Sequence, residues 1–231
     1  VLREKATALE SLAELLVREG SFEGAEHAQV NALSLRLAAA RRKDADDEDQ
    51  VRLAWSMTAY GTVLFLADGG SSGRALKAYE ANVGRCRALA KGRDPDRLSL
   101  LAYTLLQMSQ AMVIADQSDA ALEAANESLG IYQGLYEIEP RAFACNYVNA
   151  ICAVSALLAT NDRFDEAESL LLRGSCLVAP FAEEGPETYG LFRLLCDYAL
   201  LEVRSIRGDD GLLEAARAAA GEAERLMGYL P

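Results

Sequence analysis

The sequence predicts an all-α protein, an α-solenoid of about five helix pairs and ten helices. Three observations predict it. First, Asn161-Asp162-Arg163-Phe164-Asp165-Glu166-Ala167 ends one apolar helical pattern and opens another. It recurs in degraded form elsewhere, aligned on Ala25, Ala75, Ala121, Ala167 and Ala215 at spacings of 46–50 residues. Second, a turn former stands five residues before each alanine: Gly20, Gly70, Asp116, Asp162 and Asp210. Glycine takes φ > 0 without strain, and aspartate accepts from nearby backbone N–H groups. Third, the position twelve before each alanine is small or β-branched (Ala13, Val63, Ser109, Ser155, Val203), and the position nine before is apolar (Leu16, Leu66, Met112, Leu158, Ile206). Small residues are expected where the two helices of a unit approach most closely. No alternating apolar-polar pattern points to a strand.

The first unit covers about residues 6–43. Leu9, Leu12, Ala13, Leu15 and Leu16 give its first helix an apolar stripe, and Ser21 is an N-cap for its second. Arg41-Arg42-Lys43 is expected to end that second helix, where cations complement the macrodipole. The acidic residues 44–49 follow as a solvated approach to the next helix. The second unit, about residues 50–92, opens with large side chains: Trp55, Tyr60, Val63, Leu64, Phe65 and Leu66. Its Gly69-Gly70-Ser71-Ser72-Gly73 reads as an inter-helix turn. It follows a helix and lacks the spacing of a phosphate-binding loop. Asp94-Pro95 signals an N-cap with proline at the first helical position. It opens the third unit, about 96–138, whose first helix is apolar nearly all round. The fourth, about 140–180, follows Glu139-Pro140 and carries Asn146, Asn149, Ser155 and Thr160 among apolar neighbours. The fifth, about 186–228, follows Gly185-Pro186. It ends in an alanine-rich helix (Ala215, Ala216, Ala218, Ala219, Ala220) that suits a terminal cap. Residues 1–231 are expected to form one solenoid domain, and the Val1 start suggests a segment of a larger protein.

These units resemble tetratricopeptide repeats (TPRs), helix–turn–helix units with a small residue, a later aromatic or apolar residue and an early alanine in the second helix. The fourth unit is most similar, through Ser155, Leu158, Asp162, Phe164 and Glu166-Ala167. The first follows with Ala13, Leu16, Gly20, Phe22, Ala25 and Ala32. The likeness covers nearly the whole chain. The period is longer than the family's, about 34 residues, and the tryptophan–leucine–glycine signature of the first helix is missing. The turn aromatic is replaced by Ser72, Ser118 and Leu212. The resemblance implies a right-handed superhelix whose first helices line a concave surface. The inner positions it implies are Thr7, Glu10 and Glu14; Met57, Tyr60 and Leu64; Tyr103, Leu106 and Gln110; Asn149, Cys152 and Ala156; and Asp197, Leu200 and Arg204. Gln107 and Asn146 are polar neighbours able to hold a peptide backbone. None of these positions is a lysine, so the family's two-lysine grip on a terminal carboxylate is not expected.

A net charge of −12 argues against nucleic acid as a partner. The chain has one histidine, His27, expected to be exposed, and no H-E-x-x-H, G-x-S-x-G or Walker-type loop. No catalytic residues, metal site or cofactor are therefore predicted. Glu183-Glu184 and Asp209-Asp210 read as turn carboxylates. The cysteines, Cys86, Cys145, Cys152, Cys176 and Cys196, form no C-x-x-C pair, and most read as small buried residues of a reduced compartment. Short apolar runs predict no membrane span. The expected function is a non-enzymatic scaffold in the cytoplasm, binding a protein or peptide partner within a larger signalling or regulatory protein. Self-association is left open. The alternative is a sensing domain whose superhelical pitch changes when a peptide or small ligand binds near Trp55, Tyr60 and Tyr103.

Overall fold

The computed structural model describes residues 1–71, 73–182, 185–208 and 221. Among them are nine α-helices and no strand. They are α1 (Leu2–Arg18), α2 (Phe22–Ala40), α3 (Asp47–Asp68), α4 (Arg74–Leu89), α5 (Pro95–Ile114), α6 (Ser118–Ile138), α7 (Pro140–Ala159), α8 (Phe164–Ala182) and α9 (Leu191–Arg207). Four of the five expected pairs are thus present, with α9 as the first helix of the fifth. The predicted tenth helix, with Asp209, Asp210, Leu212 and Ala215, falls outside the described residues, as do Ser72, Glu183 and Glu184. The chain divides into two compact units, the first ending at Ala124 and the second beginning at Ala125, both within α6. In the first unit α1 to α4 each pack on the helix that follows, and α3 also touches α5. In the second, α7, α8 and α9 pack on one another.

The turns follow from the residues chosen for them. Gly20, Asp116 and Asp162 take left-handed φ values of 73°, 58° and 58°. Around Gly20, its own N–H donates to Val17 O at 3.0 Å, and that of Ser21 to Leu16 O at 2.8 Å. Asp116 and Gln117 repeat this with Val113 and Met112, and Asp162 and Arg163 with Ala159 and Leu158. This is the Schellman closure, which satisfies the orphan carbonyls of a helix end. The second helix pair closes one residue earlier, on Gly69 and Gly70 at φ 58° and 76°, with Gly70 N–H donating to Phe65 O at 2.9 Å.

The aligned positions are buried, each within its own unit. Ala25, Ala75, Ala121 and Ala167 are buried, and so are Ala13, Val63, Ser109, Ser155 and Val203. Gly61 shows why small residues are needed. A Cβ there would lie 2.5 Å from the ring of Tyr79, which is fully buried against α3. Buried polar groups link neighbouring pairs: Asn82 Nδ2 donates to Ala54 O and to Thr58 Oγ1, and Thr58 meets Thr104 at 2.8 Å.

Several boundaries differ from the sequence expectation. The first helix begins at Leu2, not Ala6. The cations 41–43 lie beyond the end of α2, where Arg42 pairs with Asp44. Helix α3 starts inside the acidic run: Asp46 is its N-cap, and Asp49 completes a capping box. Asp94 caps α5 as predicted, accepting from Arg97 N–H at 3.1 Å. Ser21 stands at the N-cap of α2 without a side-chain bond. Among the described residues, α7 alone is long and apolar enough to cross a membrane by length and composition. Its apolar run is broken by Asn146, Asn149 and Ser155, none of them charged. Ala144, Tyr147, Val148, Ala150, Ile151 and Val154 are buried along it.

Candidate partner-binding groove

A cavity of about 780 Å³ opens in the first unit between α1, α2, α3 and α5. First helices supply most of its wall: Glu10, Glu14, Val17 and Arg18 from α1, a long stripe of α3, and Asp96, Ser99 and Tyr103 from α5. On α3 the stripe runs through Arg52, Trp55, Ala59, Thr62 and Leu66, spaced for one helix face. Trp55 is 40% exposed, and its ring lies 5.7 Å from that of Tyr103, centroid to centroid. Leu66, 42% exposed, continues the apolar surface.

The second helix α2 supplies two buried polar side chains, Gln29 and Arg36, which also line the cavity. The Arg36 side chain is 4% exposed and forms a forked pair with Glu10: Nε to Oε1 at 3.0 Å and Nη2 to Oε2 at 2.6 Å. Its Nη2 also donates to Thr7 Oγ1 at 2.9 Å. Gln29 Nε2 donates to Ser56 O at 3.0 Å and to Ser56 Oγ at 3.2 Å. A backbone carbonyl accepts only from a donor, so this contact fixes which end of the amide is nitrogen. Gln29 Oε1 has no partner among the described residues. At the rim Arg52 pairs with Glu48 at 2.8 Å. Glu14, Arg18 and Asp96 form no ion pair among the described residues.

The structure brings together only part of the predicted set. Glu10, Glu14 and Tyr103 line the cavity. Glu10 is occupied there, neutralising Arg36. Leu64 is 2% exposed and belongs to the core. Tyr60 turns toward α4 and bonds Arg74, which also pairs with Glu26. Helix α3 has neighbours on several sides, so the stripe carrying Met57, Tyr60 and Leu64 faces other helices and an adjacent stripe faces the cavity. Gln107, half-buried, and Gln110, exposed, lie on α5 outside the lining. In the second unit, Asn146 Nδ2 lies 3.5 Å from the Tyr132 hydroxyl, Asn149 is exposed, and Arg204 Nε reaches Glu168 at 3.4 Å. The sequence reading misses Gln29 and Arg36. Their signal is the 3-and-4 spacing Ala25, Gln29, Ala32, Arg36, Ala39, which puts both on the buried face.

His27 is exposed. Among the described residues no group of three or more His, Cys, Asp or Glu side chains is placed to hold a metal ion. Burial and the Thr62 hydroxyl act oppositely on Tyr79; burial wins and pushes its phenol up to about 12. Burial likewise raises Tyr103.

No family model matches the sequence, and a search of curated proteins returned no match. Solved structures do match. A kinesin light chain-like protein of Podosopora anserina with nearly identical TPR-like repeats, in a variant form, superposes with a TM-score of 0.68. It is 17% identical over 97% of this chain and 99% of that one. Another structure of that protein gives 0.59, covering 98% and 96% of the two chains at 17% identity. BtubC (BKLC) from P. vanneervenii gives 0.69 at 17% identity, covering 100% of this chain and 84% of that one. Helix pairs closed by left-handed turns, buried alanines at a constant offset from each turn, and this likeness over nearly the whole chain establish a TPR-like helical-repeat fold.

Proposed function

We propose that the chain is a non-catalytic interaction scaffold that holds a peptide segment of a partner protein in the cavity between α1, α3 and α5. The observation that carries this reading is an exposed Trp55 whose ring lies tilted against that of Tyr103, in a cavity that also holds the open amide oxygen of buried Gln29. An apolar side chain of the peptide lies against the two rings, which offer large rigid contact area at low entropic cost. One peptide N–H donates to Gln29 Oε1. Basic residues of the peptide lie beside Glu14 and Asp96, in keeping with a net charge of −12. TPR-like folds generally serve protein–protein interaction, which supports this reading. A cytoplasmic setting within a larger regulatory protein remains part of the proposal.

Trp55 is the only tryptophan, so its fluorescence reports the site directly. A library of peptides with an aromatic or aliphatic anchor and basic flanks is titrated against the chain. Binding is expected to shift the emission; Trp55→Ala, followed by peptide capture because it removes the fluorophore, should weaken binding by a factor of roughly 10–30, the loss of a hot-spot residue of about 2 kcal/mol. Peptide capture that is unaffected by Trp55→Ala would refute the groove. The volume favours a second reading. At about 780 Å³ the cavity lies in the range of small-molecule sites, about 300–1,000 Å³. A sensing role would show as the same fluorescence change with a small aromatic or amide ligand, and competition between that ligand and peptide.

A further inference from the structure

Two cysteines that the groove does not use lie together in the second unit. Cys152 on α7 and Cys196 on α9 are 44 positions apart in the chain, yet their sulfurs are 4.0 Å apart. Cys196 is 1% exposed and sits in an apolar cluster with Ala144, Val148 and Val178. Cys152 is packed against the same cluster but is only half-buried, the more exposed of the two. Helix α8 makes the contact possible at Gly174. A Cβ there would lie 2.9 Å from Cys196 Sγ, so any other residue would displace that thiol. A sulfur–sulfur bond is about 2.05 Å long, and side-chain rotation on two neighbouring helices has only the remaining gap to close. Neither Cys145, seven residues from Cys152, nor the exposed Cys176 has a sulfur partner among the described residues.

We propose that Cys152 and Cys196 form a peroxide-reactive dithiol, an oxidation site that closes to an intramolecular disulfide joining α7 to α9. The chemistry has two steps. The Cys152 sulfur attacks one oxygen of hydrogen peroxide; the O–O bond breaks, sulfenic acid forms and water leaves. The Cys196 sulfur then attacks the Cys152 sulfur. The S–O bond breaks, and the departing oxygen takes the Cys196 proton and leaves as a second water. Both thiols together lose two electrons, and the peroxide gains them. The roles follow from surroundings: the hydrogen bond from Cys196 pulls Cys152 below the ordinary thiol range, while that contact and burial push Cys196 up. Cys152 is the accessible attacking thiol and Cys196 the buried resolving one.

The test treats the reduced chain with stoichiometric hydrogen peroxide, measures the intact mass, then blocks the remaining thiols and maps the tryptic peptides. The expected result is a loss of about 2 Da, the two thiol hydrogens. Of the five cysteines, all but Cys152 and Cys196 should remain blockable, and one cross-linked peptide should contain both. Reductant should restore the starting mass. Cys152→Ser should abolish the mass loss, and Cys145→Ser and Cys176→Ser should leave it intact. The peptide map of the unsubstituted chain decides the matter even where a substitution at buried Cys196 fails to fold. Oxygen adducts without the cross-link, a disulfide involving Cys145 or Cys176, or only intermolecular dimers would overturn the proposal.

Discussion

Removing the carboxylate of Glu10 tests whether this residue serves the fold or a ligand. Arg36 is almost fully buried, and Glu10 is its only ionic partner among the described residues, with both oxygens engaged at 3.0 and 2.6 Å. A guanidinium stays charged whatever its surroundings. Glu10→Ala therefore leaves an unneutralised charge in the wall between α1 and α2, keeping only its bond to Thr7. Breaking a buried ion pair on one side costs about 3–5 kcal/mol. Glu10 is 23% exposed, so water entering the vacated space offsets part of this and the lower end, about 3 kcal/mol, is expected. For a chain of this size that is a fall in Tm of roughly 6–12 °C. Glu10→Leu combined with Arg36→Met removes both charges and fills the space, and such exchanges are often neutral or better. The assay is urea unfolding followed through Trp55, which reports on the same unit. The reasoning is refuted by a cost below about 0.5 kcal/mol for Glu10→Ala, or by a double variant no better than the single one.

Two further outcomes follow from packing and burial. Gly61→Ala places a methyl 2.5 Å from the buried Tyr79 ring and should cost about 1–3 kcal/mol of overpacking in a thermal melt. Tyr79→Leu in the same chain should recover part of it. High pH should destabilise the fold through Tyr79: its folded pKa is about 12 against 10.0 unperturbed, so the native state holds a proton the unfolded chain gives up. Its contribution is then complete below about pH 10 and falls by about 2–3 kcal/mol as the pH rises to about 12. Tyr79→Phe should flatten that slope in urea titrations.

The turns were legible because they depend on local chemistry alone. A left-handed residue ends these first helices, and glycine or aspartate declares it, at the predicted offset after α1, α5 and α7 and one or two residues earlier after α3 and α9. The burial of the marker alanines follows from the turn geometry, so it too was readable. The groove was not, because facing is a tertiary property. Helix α3 is 22 residues long and packs on α2, α4 and α5. Period alone cannot say which of its stripes is left open, and Leu64, carried over as an inner position, is core. The polar floor was hidden for the opposite reason. Gln29 and Arg36 look like the solvated side of an amphipathic helix unless one asks why they share a face with Ala25, Ala32 and Ala39. A buried arginine is tolerated there only because Glu10 on α1 arrives opposite it. The pair therefore sets how α1 lies against α2. That leaves the open amide of Gln29 and the rings of Trp55 and Tyr103 as the groups free to recognise something else.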